Sequence, residues 1–258
     1  MAIRTVAVTR YVTPLREGGS LPAIVEADDD GLYVLKFRAA GQGPKALVAE
    51  LVSGEMARLL GLPVPEIVLA LLDRELARTE PDPEIHALIY DSAGMNVALD
   101  FLPAAVAYDP VVHVLPHELA SRIVWFDGLV SNVDRTTRNT NMLMWHRKPW
   151  LIDHGASLYF HHTPDWEGDP SRSRRSFVEI RDHVLRGRAT MIEEIDGEMA
   201  SALTEDAVAA VLELVPAEWL SHHTVSGEAS RMRAAYRTYL RNRLAPPRTF
   251  VQEAARGR

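Results

Sequence analysis

The chain has 258 residues, of which 47% are hydrophobic and 24% charged, enough for one two-lobed domain or two small ones with ample core. A formal net charge of −7 argues against general nucleic-acid binding, and the absence of cysteine removes disulfides, thiolate chemistry and Cys-based zinc sites. The N-terminus lacks a long apolar core and no segment approaches the length of an uninterrupted transmembrane helix. A soluble, cytoplasmic protein with no membrane association is therefore expected.

Residues 3–12 mix β-branched and polar side chains and predict a strand. Gly18-Gly19-Ser20 breaks it as a flexible turn, and residues 21–26 resume as a strand. Asp30-Gly31 signals a hairpin into a third strand over residues 32–37, completing an antiparallel meander. In residues 44–60 apolar side chains recur at helical spacing, and Gly61 ends the helix. Residues 66–72 predict a strand, 73–86 an exposed loop or short helix, and 85–90 and 96–101 two further strands. From about residue 104 the pattern turns helical. A helix over 117–132 leads into a polar loop, and a short hairpin covers 142–145 and 150–153. Helices are predicted at about 176–187, 189–200, 204–214 and 226–244. Mostly β followed by mostly α is an α+β chain of two lobes: residues 1–103, then 104–245, with 246–258 expected to fray as a tail.

The polar loop carries the densest chemistry. Asp134 is followed five residues on by Asn139, and a second acid, Asp153, closes the apolar run Trp150-Leu151-Ile152. Phosphoryl-transfer sites of kinase type are arranged this way: the first Asp meets the acceptor hydroxyl, and the Asn and second Asp hold Mg²⁺ on the ATP phosphates. Asn141 is an alternative ligand. Such a site needs a fixed cation against the phosphates and a carboxylate to fix it. Lys36 ends the third strand, and Glu50 in the following helix is its expected partner, with Glu55 in competition. The glycines of Gly18-Gly19-Ser20 would let backbone amides approach the phosphates. Asp100, Phe101 and Leu102, where the last strand of the first lobe meets its linker, are the adenine-side candidates. Arg135 and Arg138 read as surface residues by default. His146, His154, His161 and His162 have irregular spacing, and exposed loop histidines are expected rather than a metal site with Asp153. The run from Ser171 to Ser176 is basic and serine-rich, an exposed loop or an acceptor-binding segment.

These pieces in this order resemble the kinase core of HipA-like proteins, which share a phosphatidylinositol-kinase-like fold. The matching segments are Gly18-Gly19-Ser20 before Lys36, the helix with Glu50, the run ending Pro63-Val64-Pro65, the loop from Asn132 to Asn139, and Leu151-Ile152-Asp153. The resemblance implies ATP and Mg²⁺ as cofactors and transfer of the γ-phosphoryl group to a hydroxyl, often on protein Ser or Thr. It implies Asp134 as the catalytic acid, with Asn139 and Asp153 as metal ligands. A small-molecule or lipid kinase on the same fold, and a nucleotide-binding pseudokinase acting as an interaction module, are the rival readings. The resemblance leaves the acceptor and any regulatory or antitoxin partner open. Thr136 stands where family members often carry His, and the chain starts almost at the first kinase strand, where full-length toxin members have an extra subdomain.

Overall fold

The computed structural model describes residues 2–15, 21–221 and 227–256. The predicted glycine loop at Gly18, Gly19 and Ser20 lies outside these residues.

Strands β1 (Thr5–Pro14), β2 (Ala23–Ala27) and β3 (Leu32–Lys36) pair antiparallel in sequence, as the turn signals predict. β4 (Ile67–Leu72) and β5 (Gly94–Asp100) add to them in the order β1-β2-β3-β5-β4, and a parallel β1–β4 pairing closes a barrel. Alternation along each strand sorts side chains onto two faces. Val68 and Ala70 of β4 point inward with Val25, Leu35 and Ala98. Ile67 and Leu69 point outward with Val97 and Leu99, against helix α1 (Pro44–Leu59). Lys36 follows Leu35 and is registered opposite Val97, so it faces α1 as well.

Helix α1 begins with Pro44 in its first turn and is buried without interruption from Leu47 to Ala57, Glu50 included. Gly54 makes the close approach possible: a Cβ there would lie 2.3 Å from Ile67 Cδ1 on β4. This packing fixes the height of Glu50 above the barrel.

The strand predicted over residues 85–90 is instead part of helix α2 (Pro83–Asp91). The Asp82 side chain accepts from Glu84 N–H and Pro83 occupies the first turn, a helix-start signal that outweighs the short apolar run. Ile85 and Ile89, one turn apart, join the barrel's interior cluster.

The second lobe is built on α3 (His117–Val130), which is buried continuously from Ile123 to Val130. Beside it lies the sheet β6 (Val106–Ala107), β7 (Met142–Trp145) and β8 (Lys148–Leu151). Helices α4 (Ile192–Ala202), α7 (Glu228–Leu244) and α8 (Thr249–Ala255) pack against α3, while α5 (Glu205–Leu212) and α6 (Ala217–Leu220) pack against α1 and α7. The helix predicted at 176–187 is replaced by short 3-10 turns at Val178–Asp182 and Arg186–Arg188. Its backbone is recruited elsewhere: Val184 N–H donates to the Arg135 carbonyl at 3.0 Å, and Thr136 bridges to His183. The expected frayed tail is ordered as α8. Phe250 is buried edge-on against Trp125, with ring centroids 5.4 Å apart, and Ala254 is also buried. Ala245-Pro246-Pro247 is a turn between two packed helices, not the end of the fold. Among the described residues no helix is long and apolar enough to cross a membrane.

Phe250→Ala should therefore lower unfolding stability by about 3–5 kcal/mol in denaturant titration, the cost of emptying a buried aromatic site. A frayed tail would show no loss.

Candidate active site

Lys36 stands at the junction of the lobes. Its Nζ donates to Glu50 Oε2 at 2.7 Å and to Asp153 Oδ1 at 2.5 Å. The Glu50 side chain is wholly buried, whereas that of Asp153 keeps 43% exposure and opens to the cleft. Glu55, on another face of α1, pairs with Arg58 at 3.3 Å instead. Burial pushes the Lys36 ammonium down, but Glu50 and Asp153 overcome this and hold it charged. Burial likewise pushes the Glu50 carboxyl up, and the Lys36 charge more than reverses it, leaving it at about 2. Asp153 has a left-handed backbone, φ 53°, a conformation that costs energy for a non-glycine residue. That twist follows the end of β8 and turns its carboxylate toward the lysine.

His154 is buried, not exposed on a loop. Its Nδ1 lies 3.7 Å from Glu50 Oε1, beyond hydrogen-bonding distance, and its ring packs edge-on to Phe126. His161 is buried as well, bonded through Nδ1 to the Tyr236 hydroxyl at 2.9 Å and through Nε2 to His162 at 3.0 Å. His146 sits exposed at the tip of the β7–β8 hairpin. Among the described residues no three His, Cys, Asp or Glu side chains converge on a metal position.

The loop after α3 presents Asp134. Ser131 ends the helix in the left-handed region, φ 54°, and the Asn132 side chain accepts from Asp134 N–H at 3.1 Å. Asp134 Oδ2 accepts from Asn139 Nδ2 at 2.7 Å and from Asn141 Nδ2 at 3.0 Å. The two asparagines differ in setting. Asn139 is exposed; Asn141 is buried, and its carbonyl accepts from Ile152 N–H at 3.0 Å. Asn141 is thus tied to the residue before Asp153.

Beneath the loop lies a buried ionic network. Arg135 is 1% exposed and so is no surface arginine. Its Nε donates to Asp127 Oδ2 at 2.6 Å, and its Nη1 donates to the Asn141 carbonyl. Asn132 Nδ2 donates to Asp127 Oδ1 at 3.0 Å, and His183 Nε2 lies 2.9 Å from Asp127 Oδ2. Leu185 N–H donates to His183 Nδ1, so the imidazole proton sits on Nε2 and points at Asp127. Burial pushes the Asp127 carboxyl up, but Arg135 and His183 hold it well below the usual carboxylate range. Burial pushes His183 down, against the pull of Asp127. Sequence reading did not single out Asp127 or His183. The one available signal was an acid inside the apolar run Trp125-Phe126-Asp127, where an unpaired charge is rarely buried.

At the linker, Asp100 N–H donates to the Glu66 carbonyl at 2.8 Å and Phe101 N–H to the Leu32 carbonyl at 3.0 Å. Leu102 is buried and lies next, at the start of the crossing to the second lobe.

A barrel lobe with a Lys–Glu pair, a mostly helical lobe with an Asp loop, and a second Asp meeting the lysine define a kinase-like fold. The sequence model of the HipA-like kinase family matches residues 8–245, and the chain belongs to that family of phosphotransferases. No curated protein matches it. Its fold is similar to the crystal structure of the Helicobacter pylori proinflammatory kinase CtkA, with TM-score 0.58 and 12% identity over 97% of this chain and 98% of that one. The Golgi casein kinase with Mn/ADP bound gives TM-score 0.48 and 13% identity over 94% of this chain and 72% of the other.

The low folded-state value of Glu50 sets a pH dependence. A carboxyl at about 2 when folded, against an ordinary value of 4.5, contributes stability that is present above 4.5 and lost as pH falls through about 2. Asp127 acts in the same direction. Denaturant midpoints measured from pH 6 downward should fall across that window; a flat profile there would contradict the pairing.

Proposed function

We propose that the protein binds ATP with Mg²⁺ in the cleft between the lobes and transfers the γ-phosphoryl group to a hydroxyl, on protein Ser or Thr. The observation that carries this reading is the shared cation: Lys36 bonded at once to Glu50 and Asp153. The charged Lys36 faces the α- and β-phosphates, and Glu50 keeps its position. Asp134, oriented by two amide groups, accepts the proton of the attacking hydroxyl.

The donors near Asp153 are carboxylate and amide oxygens, which suit Mg²⁺, a hard ion that takes few protein ligands and keeps several waters. Asp153 and Asn141 are the pair best set to hold it, because a backbone hydrogen bond ties Asn141 to Ile152. Asn139 then serves mainly to orient Asp134, though it was the ligand expected from spacing. A bound Mg²⁺ would neutralise charge on the phosphates. Of Asp100, Phe101 and Leu102, the first two have their N–H groups committed to Glu66 and Leu32. The backbone of Leu102 is therefore the candidate for the adenine edge. Gly18, Gly19 and Ser20 are proposed to cover the phosphates.

Calorimetric titration of ATP should show Mg²⁺-dependent binding that Asp153→Ala abolishes in a folded protein; binding indifferent to Mg²⁺ would point to a pseudokinase. Asp134→Asn should slow ADP formation by phosphoryl transfer by about 10²–10⁴-fold while ATP affinity is retained, the usual scale for loss of a general base. Equal loss of turnover and affinity would count against its role. Asn141→Ala should weaken Mg²⁺ dependence more than Asn139→Ala; the reverse order would return the ligand role to Asn139.

A further inference from the structure

The helical lobe holds a cavity of about 180 Å³, lined on one side by Ser131 and Val133 of the loop that carries Asp134. Val133 lines it, and Val133 is joined directly to Asp134, so one edge of the cavity is a single residue, about 3.8 Å along the chain, from the catalytic acid. No residue of the barrel lobe is among its lining, so it is separate from the cleft at Lys36. Its volume suits one side chain.

Three arginines line this cavity, Arg172, Arg175 and Arg243, against one carboxylate, Glu179. Their charges are poorly matched within the protein. Arg243 is buried, and the partners of its guanidinium are backbone carbonyls: Leu129 and Gly128 at 2.6 Å, Arg175 at 3.1 Å and Ser173 at 3.3 Å. Carbonyls satisfy its hydrogen bonds but leave its charge without a counter-ion. Arg175 is exposed and forms no ion pair among the described residues. Arg172 is shared with Asp169 through Nε at 3.2 Å. Phe160 and Tyr239, stacked with a 15° interplanar angle, form an aromatic wall of the cavity. A net-positive recess is a local inversion on a chain of formal charge −7. Arg243 can contribute only its charge, since its donors are committed to carbonyls, whereas the exposed Arg175 guanidinium can recognise carboxylate or phosphate through paired N–H donors.

We infer that this cavity is an acceptor subsite: it takes an anionic side chain, carboxylate or phosphorylated residue, lying within a few positions of the hydroxyl presented to Asp134. The inference rests on the kinase reading above and adds a substrate class to it. It gives a role to the basic serine-rich run from Ser171 to Ser176, of which Arg172, Arg175 and Ser176 form one wall. Acceptors with basic or apolar flanks would leave Arg243 and Arg175 unneutralised and would bind less well.

The test uses two fluorescent peptide pools centred on Ser or Thr, one flanked by Asp and Glu and one by Ala and Lys, with a third flanked by phosphoserine. Anisotropy titration in ADP and Mg²⁺ should show the acidic pools bound at least about tenfold more tightly, a gain on the scale of one charge-assisted hydrogen bond. The preference should shrink at high salt and vanish in Arg175→Glu, while calorimetry shows unchanged ATP affinity in that variant. The carboxylate and phosphoserine pools separate the two sources of anion. Equal binding of the acidic pools and the Ala/Lys pool, or an acidic preference that survives Arg175→Glu, would overturn the subsite. Failure of the wild type to bind ATP would instead overturn the kinase reading and is scored separately.

Discussion

A single ammonium group sets the geometry on which the site depends. An isolated charge this deeply placed would be expelled or neutralised. Lys36 remains charged because two carboxylates from distant parts of the chain meet it, Glu50 from α1 and Asp153 from the end of β8. Each partner is positioned by ordinary packing: Glu50 by a helix pressed onto β4 at Gly54, and Asp153 by a strained turn just after β8, whose last residue, Leu151, is buried. The ion pairs therefore join the barrel lobe to the helical lobe. The phosphoryl transfer proposed above needs charges that are already oriented before the reaction, and a buried, doubly bonded lysine meets that need.

A second buried pair does the same for the loop that carries Asp134. Arg135 holds Asp127 on α3 and the Asn141 carbonyl at the loop's far end, so the polypeptide between them has both ends fixed. His183 and Asn132 complete the coordination of Asp127, and Val184 extends the grip by bonding the Arg135 carbonyl. Such networks cost much to break by removing one member, since the remaining charge is left in a dry interior. Rigidity here serves aim: Asp134 is oriented by neighbours whose own positions are set from below. The same scaffold carries Val133, the neighbour of Asp134 in the chain, to the edge of the arginine-lined cavity.

The chemistry was more legible in the sequence than the wiring. Alternation placed Lys36 on a strand face, helical spacing placed Glu50, and the short apolar run before Asp153 marked a buried strand; each is a local pattern. Where local and tertiary signals competed, the tertiary one won. Residues 85–90 read as a strand by composition, but the Asp82 cap and Pro83 made a helix. Residues 176–187 have helical apolar spacing, yet their backbone is spent on the catalytic loop. The tail looked frayed because Pro246-Pro247 reads as a stop, whereas Phe250 fills a site that only the folded lobe creates. Arg135 and His154 were read as exposed because charged and imidazole side chains usually are. Their burial depends on partners, Asp127 in the first case and Glu50 and Phe126 in the second, that no spacing rule identifies.

The sharing of one cation by two carboxylates is best measured by a double-mutant cycle on unfolding free energy with Glu50→Gln and Asp153→Asn. Each single change leaves Lys36 one acid. The double change leaves a largely buried ammonium with none, so it should cost more than the sum of the two by about 1–3 kcal/mol. Additive losses would mean that Glu50 and Asp153 act independently and that Lys36 does not bind the lobes together.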